Sequence, residues 1–560
     1  MHEMTRRRIL QASPFAAAAA LSASVPQSVG AQTNHEAVLP TAHAAKGTAL
    51  LFDVRQYGAA GDGKTLDTKA VNAAIDAAAK AGGGTVVFPA GQYLCFSIHL
   101  QSYVDLWVSQ GATIIAADSP KPGETTGYNG ETYDAAEPKT SYDAYQDYGH
   151  NHWHNSLLWG ENIHDFGIFG NGLIWGRGLS NGRRRTDLGF KFVAEQAGVG
   201  NKAIALKNCR NVNFRDFSIL KGGHFGFLLT GVDNCTLDNI KIDTDRDGID
   251  IDCCQNVRVS NCTVNSPWDD GICPKSSFAL GYARPTRNVT ITNCWVTGCY
   301  ELGSVLDGSF KKFTAPSEGQ QDRSVPYTGR IKCGTESNGG FINITVSNCV
   351  FEGCQGYALE SVDGALMEDI AITNTTMRDC VSAPIFVRLG ARLRGPKEST
   401  KVGTAARILF SNIESYNSSS KIASILSGVP GHMIEDVKLS DIFVHNEGGG
   451  TEADQAIQVP EKEEGYPEPG MFGRIPATGF FLRHVRNLEM SHVEVRTAAP
   501  DARSPFYLQD VERADFFALN APRAQGQPLF QLHNVRDLRL GWTRGVADTN
   551  LEHADAQTLG

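Results

Sequence analysis

A short phrase recurs along the second half of the chain and constrains its fold more than any other feature. The phrase reads Asn, then alternating apolar and polar residues, then Asn-Cys, with clear copies at 256–262, 288–294 and 343–349. Weaker copies begin at Asn211, Asn234, Asp369, Asp436 and Asn487. The starts at 211, 234 and 256 are 23 and 22 residues apart. A repeat of this length with strand-like alternation is typical of a solenoid.

Each copy predicts a β-strand, because its apolar residues are largely β-branched and alternate with a period of two. A leucine-rich repeat has a similar length but needs Leu-x-x-Leu-x-Leu spacing, which these copies lack. The turn asparagines tolerate left-handed backbone conformations, which sharp corners between strands require. We therefore predict an all-β fold, a single-stranded right-handed parallel β-helix, with successive coils about 4.8 Å apart.

The cysteines follow the repeat rather than a disulfide pattern. The chain has 13, an odd number. Six occupy similar points in the repeated phrase, at 209, 235, 262, 294, 349 and 380. We predict that these six stack at equivalent positions as small buried apolar groups. No CxxC-type spacing indicates a metal site.

The N-terminus reads as an export signal. Residues 5–10 contain three arginines in a twin-arginine-like context, an Ala-rich stretch covers about 15–25, and Val-Gly-Ala at 29–31 resembles a cleavage site. We predict that residues 1–31 are a signal peptide and that the protein is periplasmic or extracellular. The remainder, 32–560, is predicted to be one β-helix catalytic domain.

The start of this domain departs from the repeat. Residues 68–81 are Ala-rich and put Val71, Ile75 and Ala78 on one face, which predicts a helix that ends at the glycines of 82–84. Such a helix covers the open end of a β-helix, whose strand edges would otherwise pair with other chains.

Two long insertions interrupt the repeat, at about 118–156 and 299–328. The first is rich in aromatic and histidine residues, and we expect its His152 and Trp153 to bind a sugar. A metal is the less favoured interpretation of the histidines, and none is expected.

Charge excludes several classes of partner. The net charge is -10, and residues 1–31 contribute +2 (three Arg against one Glu), which leaves -12 for the remainder. Nucleic acids and anionic membranes attract basic surfaces, so neither is an expected partner. Beyond the N-terminal segment, no stretch approaches the ~20 apolar residues of a membrane span. The sequence carries no indication of oligomeric state.

Acidic residues concentrate in two segments, 243–252 and 268–275. Asp247 and Asp269 are 22 residues apart, which equals the local repeat, so we expect them to meet on adjacent coils together with Asp270. Crowded carboxylates repel one another, and a fold tolerates them where a cation binds or where chemistry uses them. Glycoside hydrolysis requires two carboxyl groups, about 6.5–9.5 Å apart in inverting enzymes. The spacing alone is equally compatible with two alternatives, a calcium site or a solvated acidic turn.

At this point the sequence resembles a known family, glycoside hydrolase family 28, the polygalacturonases, and in particular its bacterial exo-acting branch. The family's Asn-Thr-Asp-Gly segment matches residues 245–248, and its Asp-Asp pair matches 269–270. Further similar segments, in the expected order, lie at 52–64, 87–91, 170–178 and 384–390.

The resemblance implies an inverting hydrolase that uses neither metal nor cofactor. It implies Asp269 as the general acid, and Asp247 with Asp270 as the groups that hold the attacking water.

Two motifs that the family uses to bind substrate are displaced. Residues 328–330 read Thr-Gly-Arg where the family has Gly-His-Gly, and the Arg-Ile-Lys position falls on residues 358–360, which end in Glu360. A literal Arg-Ile-Lys stands at 330–332, one coil early. In the family this Arg and Lys bind the galacturonate carboxylate, a contact that decides uronate specificity. The expected substrate-binding residues are Arg330, Lys332, Lys275, Glu360, Arg388, His152 and Trp153.

The function expected from these observations is hydrolysis of glycosidic bonds in a pectin-like polysaccharide or oligosaccharide, of the polygalacturonase or rhamnogalacturonan galacturonidase type. Attack at a chain end is favoured, because the two insertions are long enough to close a cleft. A polysaccharide lyase and a non-catalytic carbohydrate-binding β-helix are the alternatives on the same fold.

Overall fold

In the computed structural model, parallel strands wind into a right-handed β-helix, which confirms the predicted fold class. The residues described are 50–147, 149–181, 184–185, 190–191, 196–312, 327–419, 421–521, 523 and 526–560. They belong to one compact unit, 49–560. The predicted export signal, 1–31, lies outside the described residues. Within the described part, no helix is long and apolar enough to cross a membrane.

Most strands join a sheet of 28 members that follows the helix along its length. In chain order they are Leu51–Asp53, Asp62–Leu66, Gly84–Phe88, Gly91–Cys95, Val104–Val108, Ala112–Ala116, His164–Phe169, Leu173–Trp175, Arg210–Arg215, Ser218–Leu220, Asp233–Asp238, Lys241–Asp243, Gln255–Ser260, Thr263–Asn265, Thr286–Thr292, Trp295–Thr297, Lys332–Cys333, Phe341–Glu352, Tyr357–Ser361, Leu366–Arg378, Ile385–Leu389, Thr404–Ser418, Ser424–Ser427, Ile434–Asn446, Ala477–Thr497, Ser504–Phe517, Phe530–Gly541 and Thr549–Leu559. The final pair, Phe530–Gly541 with Thr549–Leu559, is antiparallel and ends the solenoid.

A second face of the solenoid is a parallel sheet of six strands, which we call the short sheet. Its strands are Ile98–His99, Leu158–Glu161, Lys202–Lys207, Phe225–Thr230, Asp247–Asp252 and Ile272–Lys275. Both acidic segments contribute to its last two strands, so this sheet positions the carboxylates. Two short antiparallel hairpins complete the strands, at Arg184–Arg185 with Phe190–Lys191 and at Tyr300–Leu302 with Lys311–Lys312.

Asparagine side chains connect the coils along one corner. Asn234 donates to Asn211, Asn256 to Asn234, and Asn288 to Asn256, with N···O distances of 2.9–3.1 Å. All four residues have positive φ, between 52° and 59°, as the sharp corner requires. The recurring asparagines therefore combine a turn conformation with a side-chain ladder, as the repeat predicts.

The predicted cysteine stack is wrong in part. Cys262, Cys294 and Cys349 do follow one another in register on successive coils. Cys235 instead lies opposite Val212 and Val257 in a different row. Cys209 and Cys380 stand outside both rows. All 13 cysteines are nevertheless buried and free of disulfides, which suits small apolar groups in an interior.

The predicted cap is an α-helix at Thr68–Lys80, and it buries Val71, Ile75 and Ala78 together with Ala70 and Ala74. Short 3₁₀ turns lie at Val54–Tyr57, Tyr128–Gly130, Asp143–Tyr145 and Pro469–Phe472. A second short helix, Glu452–Gln455, begins at a Thr451 capping box inside an insertion that spans 447–476. The sequence analysis did not predict this third insertion.

Candidate active site

A cavity of about 230 Å³ opens beside the amino ends of the last strands of the short sheet. Its lining residues are Asp147, His150, His224, Arg246, Asp247, Asp269, Asp270, Lys275, Lys332, Thr335, Glu336 and Tyr466. The three predicted catalytic aspartates and two of the predicted substrate-binding residues are therefore in one place.

The register between coils brings the aspartates together, although not with the predicted offset. Ile249 lies opposite Ile272, and the Gly248 N–H donates to the Asp270 carbonyl oxygen at 3.0 Å. The local offset is thus 23 residues rather than 22, so Asp247 lies opposite Asp270. A Cβ on Gly248 would lie 2.4 Å from the Gly271 carbonyl oxygen, so this close approach requires glycine.

The nearest oxygens of Asp247, Asp269 and Asp270 all lie within 4.8 Å of one another. Asp247 and Asp270 are buried, whereas the Asp269 side chain is 27% exposed at the open side of the cavity. Such crowding is electrostatically unfavourable unless protons or cations compensate the charge.

Burial and the neighbouring carboxylates perturb the ionisation of Asp247. Burial raises its pKa well above the usual range, and the negative charge of Asp269 raises it further. Its Oδ1 atom is buried and has no hydrogen-bond partner among the described residues. Burial and the charge of Asp269 therefore both favour the protonated form of Asp247.

Two cations compensate the charge of Asp270. Arg330 Nε donates to its Oδ1 at 2.9 Å, and Lys332 Nζ lies 3.1 Å from its Oδ2. Burial alone would raise the pKa of Asp270, but Lys332, Arg330 and Lys275 lower it well below the usual range. Asp270 is consequently held ionised, with both oxygens engaged.

Asp269 pairs with its neighbour on the preceding coil, Arg246. Arg246 Nε and one terminal nitrogen both donate to Asp269 Oδ2, at 3.1 and 2.7 Å. The Asp270 N–H donates to the other oxygen, Oδ1, at 3.1 Å. Both Asp269 oxygens therefore act as acceptors in the ligand-free site.

The opposite side of the cavity combines Lys275, Glu336 and His150. Lys275 Nζ lies 3.5 Å from Glu336 Oε2 and 3.8 Å from Asp250 Oδ2. His150 Nδ1 also lies 3.5 Å from Glu336 Oε2. Burial lowers the pKa of His150 to about 4, so its ring is neutral at physiological pH. The neutral ring offers both a donor and an acceptor to a ligand.

His224 lies against His150 and stacks on Phe225, with ring centroids 4.3 Å apart. Burial, followed by the charge of Arg246, lowers the pKa of His224 well below its usual range. Two sets of side chains are close enough to hold a cation, His150 with His224 and Asp247, and the three aspartates Asp247, Asp269 and Asp270. In the second set, Asp270 and Asp269 are already paired with cationic side chains.

Three predicted substrate-binding residues do not reach the cavity. Arg388 is buried, with its terminal nitrogens bonded to backbone oxygens of 427–428 and 461–462. Trp153 is buried, and its Nε1 donates to Thr230 at 3.1 Å. His152 is buried beside Glu137. These side chains pack inside the wall instead of facing a ligand, so the proposed site omits them.

Arg330 and Glu360 lie behind the lining residues. The donors of Arg330 reach Asp270, Gln355 and Glu468, and its side chain is 1% exposed. Glu360 is buried, 3.7 Å from Lys332 Nζ. Both belong to the buried ion network that supports Asp270.

Sequence reasoning missed several lining residues. Tyr466 and the nearby Glu468 come from the insertion at 447–476, which has no repeat signal. His224 directly precedes a strand of the short sheet, and the matching position on the next coil is Arg246. The equivalent positions of His224 and Arg246, each directly before a strand of the short sheet, could have identified both as lining residues.

Comparisons with known proteins agree with this architecture. Residues 51–143 match the family model described as Rhamnogalacturonase A/epimerase, pectate lyase-like, and 197–316 match the model described as Right handed beta helix region. Over 275 residues the chain is 26% identical to a probable polygalacturonase from Vitis vinifera, covering 46% of this chain and 52% of that protein. The chain thus spans about half the length of this curated relative.

A shorter segment of 42 residues is 64% identical to alginate lyase 7 of Azotobacter vinelandii, and it covers 8% of this chain and 5% of that protein. Among solved structures, a family 28 exopolygalacturonase from Yersinia enterocolitica matches with a TM-score of 0.60 at 16% identity, covering 84% of this chain and 78% of that one. An exopolygalacturonase from Thermotoga maritima matches with a TM-score of 0.50 at 15% identity, covering 91% and 95%. These structural likenesses show the fold. Together with the sequence match, they support a polygalacturonase-like right-handed β-helix.

The buried network behind Asp270 predicts a pH-dependent contribution to stability. Burial raises the pKa of Glu360 to about 8, from an ordinary 4.5, and Lys332 and Arg330 only partly oppose this rise. The folded state therefore binds more protons than the unfolded state between these two values. Stability from this group is complete below about pH 4.5 and is lost as the pH rises toward 8.

Glu360→Gln removes this loss. Relative to wild type, we expect the variant to gain stability from pH 5 to pH 8, by up to roughly 1.4 kcal/mol per pH unit. Urea unfolding at pH 5, 6.5 and 8 measures the difference. Parallel pH profiles for the two proteins would show that Glu360 titrates normally.

Proposed function

We propose that this protein is a glycoside hydrolase that acts on a pectin-like polysaccharide or oligosaccharide. The observation that carries the proposal is the cluster of Asp247, Asp269 and Asp270 in one cavity, with nearest oxygens within 4.8 Å. Glycoside hydrolysis needs one carboxylic acid and one carboxylate at the same bond. The match to a probable polygalacturonase supports a pectin-like substrate.

In this proposal Asp269 protonates the leaving oxygen, because it is the most exposed of the three carboxyl groups. The glycosidic C–O bond breaks, the Asp269 proton goes to the leaving oxygen, and water attacks the sugar carbon. The water proton passes to Asp247, whose buried Oδ1 atom has no hydrogen-bond partner among the described residues. Asp270 stays ionised on Arg330 and Lys332 and orients the water.

The acid and base roles require one proton on the Asp247–Asp269 pair, since two crowded carboxylates do not both ionise readily. Burial and the charge of Asp269 favour Asp247 as the group that holds this proton before substrate binds. Asp269 becomes the acid when it gives up its contact with Arg246 and accepts that proton. Asp247 is then an ionised base, so a single transfer prepares both groups.

We further propose action at a chain end. The first insertion contributes Asp147 and His150 to the cavity wall, and the insertion at 447–476 contributes Tyr466. Walls from two insertions favour a pocket that receives a terminal sugar over a cleft that is open at both ends. The half-exposed Tyr466 ring offers a surface against which that sugar can pack.

A lyase is the weaker candidate for this geometry. A lyase abstracts a proton with a basic residue, and the lysines that line the cavity are Lys275 and Lys332 within the described residues. Burial would lower the pKa of each, but the carboxylates Asp250 and Asp270, respectively, raise both well above the usual range. These ion pairs favour the protonated form of both lysines, which disfavours them as the base and leaves His150 and His224 as the neutral basic groups among the described lining residues.

The hydrolase proposal predicts a large effect of removing the acid. Asp269→Asn should lower kcat about 10²–10⁴-fold on an oligosaccharide, because general acid catalysis typically contributes that much. A reducing-end assay with polygalacturonate and saturated oligogalacturonides measures the loss. With an aryl glycoside whose leaving group needs no protonation, the variant should recover most of its activity.

Asp245→Asn is the matched control for this experiment, because Asp245 is two residues from Asp247 but does not line the cavity. It should keep near wild-type activity. Products that absorb in the near ultraviolet would identify a lyase, and unchanged activity of Asp269→Asn would remove Asp269 from catalysis.

The stereochemical outcome gives an independent prediction. The family resemblance leads us to propose inversion, although the nearest oxygens are closer than the ~6.5–9.5 Å usual for inverting enzymes. The first product should therefore have the anomeric configuration opposite to that of the cleaved bond. Proton NMR of early products resolves the anomers before they equilibrate. Retention would instead identify one aspartate as a nucleophile.

A further inference from the structure

The cations that the resemblance assigns to substrate recognition are already occupied by the protein. Arg330 donates to Asp270, Gln355 and Glu468 and is 1% exposed. Lys332 Nζ lies 3.1–3.7 Å from carboxylate oxygens of Asp270, Glu360 and Glu468. The displaced Arg-Ile-Lys segment thus supports a catalytic aspartate, and its two charges are not available to a uronate.

Lys275 is similarly engaged, with Asp250 and Glu336. Arg246 lines the cavity, as Lys275 and Lys332 do, but differs from these cations in two respects. Its side chain is 25% exposed, and within the described residues its carboxylate partner is Asp269. A guanidinium has five N–H donors in a planar fork, and the contacts to Asp269 Oδ2 use donors on two of its three nitrogens.

Arg246 also stands at a departure from the family pattern. It occupies the position of Thr in the Asn-Thr-Asp-Gly segment, directly before the catalytic Asp247. The chain therefore has an additional cation lining the cavity at this position, while its Arg-Ile-Lys segment is occupied elsewhere. The partner of this cation is the proposed general acid.

We propose that Arg246 binds the carboxylate of a terminal uronic acid residue, and that this exchange of partners releases Asp269 to act as the general acid. The inference rests on the proposed hydrolase function and adds to it a substrate class and a specificity-determining residue.

The exchange conserves charge. The guanidinium leaves one carboxylate and pairs with another, in the bidentate geometry that suits arginine and a carboxylate. Asp269 Oδ2 then loses two donors, and one oxygen of Asp269 lies within 4.8 Å of one oxygen of Asp247, a gap that a single water molecule can bridge to carry the proton across. Asp247 becomes ionised in the same step, so substrate binding produces the acid and the base together without any further reactant.

A neutral sugar lacks the charge needed to displace Asp269 from Arg246. It would leave both Asp269 oxygens occupied as acceptors, and protonation of the leaving oxygen would fail. The arrangement therefore discriminates between a uronide and its neutral counterpart in the chemical step as well as in binding.

The test compares an aryl galacturonide with the matching aryl galactoside, which differ only at the carboxylate and carry the same leaving group, one that requires protonation. We expect wild type to prefer the galacturonide. Arg246→Gln should lower kcat/KM on the galacturonide about 10–100-fold, chiefly through a rise in KM, because the carboxylate loses its partner. It should not lower the galactoside rate, because without Arg246 the Asp269 carboxyl needs no release. Arg246→Lys should retain part of the preference, because it keeps the charge but not the fork.

Lys221→Gln is the control, since it removes a cation paired with Asp245 outside the cavity and should not alter the preference. Equal losses on both substrates in Arg246→Gln, or a wild type that prefers the galactoside, would overturn the inference. Calorimetry with free galacturonate tests the role of Arg246 independently of the hydrolase proposal. Binding that requires Arg246 supports the inference even if hydrolysis fails, and binding that ignores Arg246 overturns it.

Discussion

Backbone hydrogen bonding between successive coils is the constraint on which the site depends. The parallel register that pairs Ile249 with Ile272, and continues to Ile331, sets the amino ends of three strands side by side. Asp247, Asp270 and Arg330 stand at those ends, so the ladder forces their side chains together regardless of charge. Gly248 allows the coils to approach, because a Cβ there would collide with the next backbone. The fold thus supplies the energy that crowds the carboxylates.

Each aspartate is compensated in a different way, and the differences prepare the chemistry. Asp270 is paired with two buried cations, and Asp269 pairs with the partly exposed Arg246. Burial and the charge of Asp269 raise the pKa of Asp247 and so favour its protonated form. Removing one partner of a buried pair leaves an uncompensated charge, so the pairing of Asp270 with its two cations is rigid. The Asp269–Arg246 pair is the one that a substrate can reach, so the exchange of partners takes place at the open side of the cavity.

The repeat was sufficient to predict the β-helix, because stacked coils require the same strand pattern at a nearly constant interval. The repeat did not predict the strand register to within one residue. The turn before Ile272 is one residue longer than the equivalent turn before Ile249 on the preceding coil. That single residue pairs Asp247 with Asp270 rather than Asp269. The burial of Arg388 and Trp153 could not be predicted either, because the sequence pattern does not show, without the strand register, whether such a side chain faces the interior or the cavity. The insertion at 447–476 follows no repeat, so nothing in the pattern placed Tyr466 over the cavity.

A crystal structure of the Asp269→Asn variant with a saturated digalacturonide tests this account most directly. The terminal carboxylate should contact the Arg246 guanidinium, and the glycosidic oxygen should lie within hydrogen-bond distance of residue 269. Arg330 and Lys332 should remain on Asp270. A sugar whose carboxylate contacts Arg330 and Lys332, or one bound away from the three aspartates, would contradict this account.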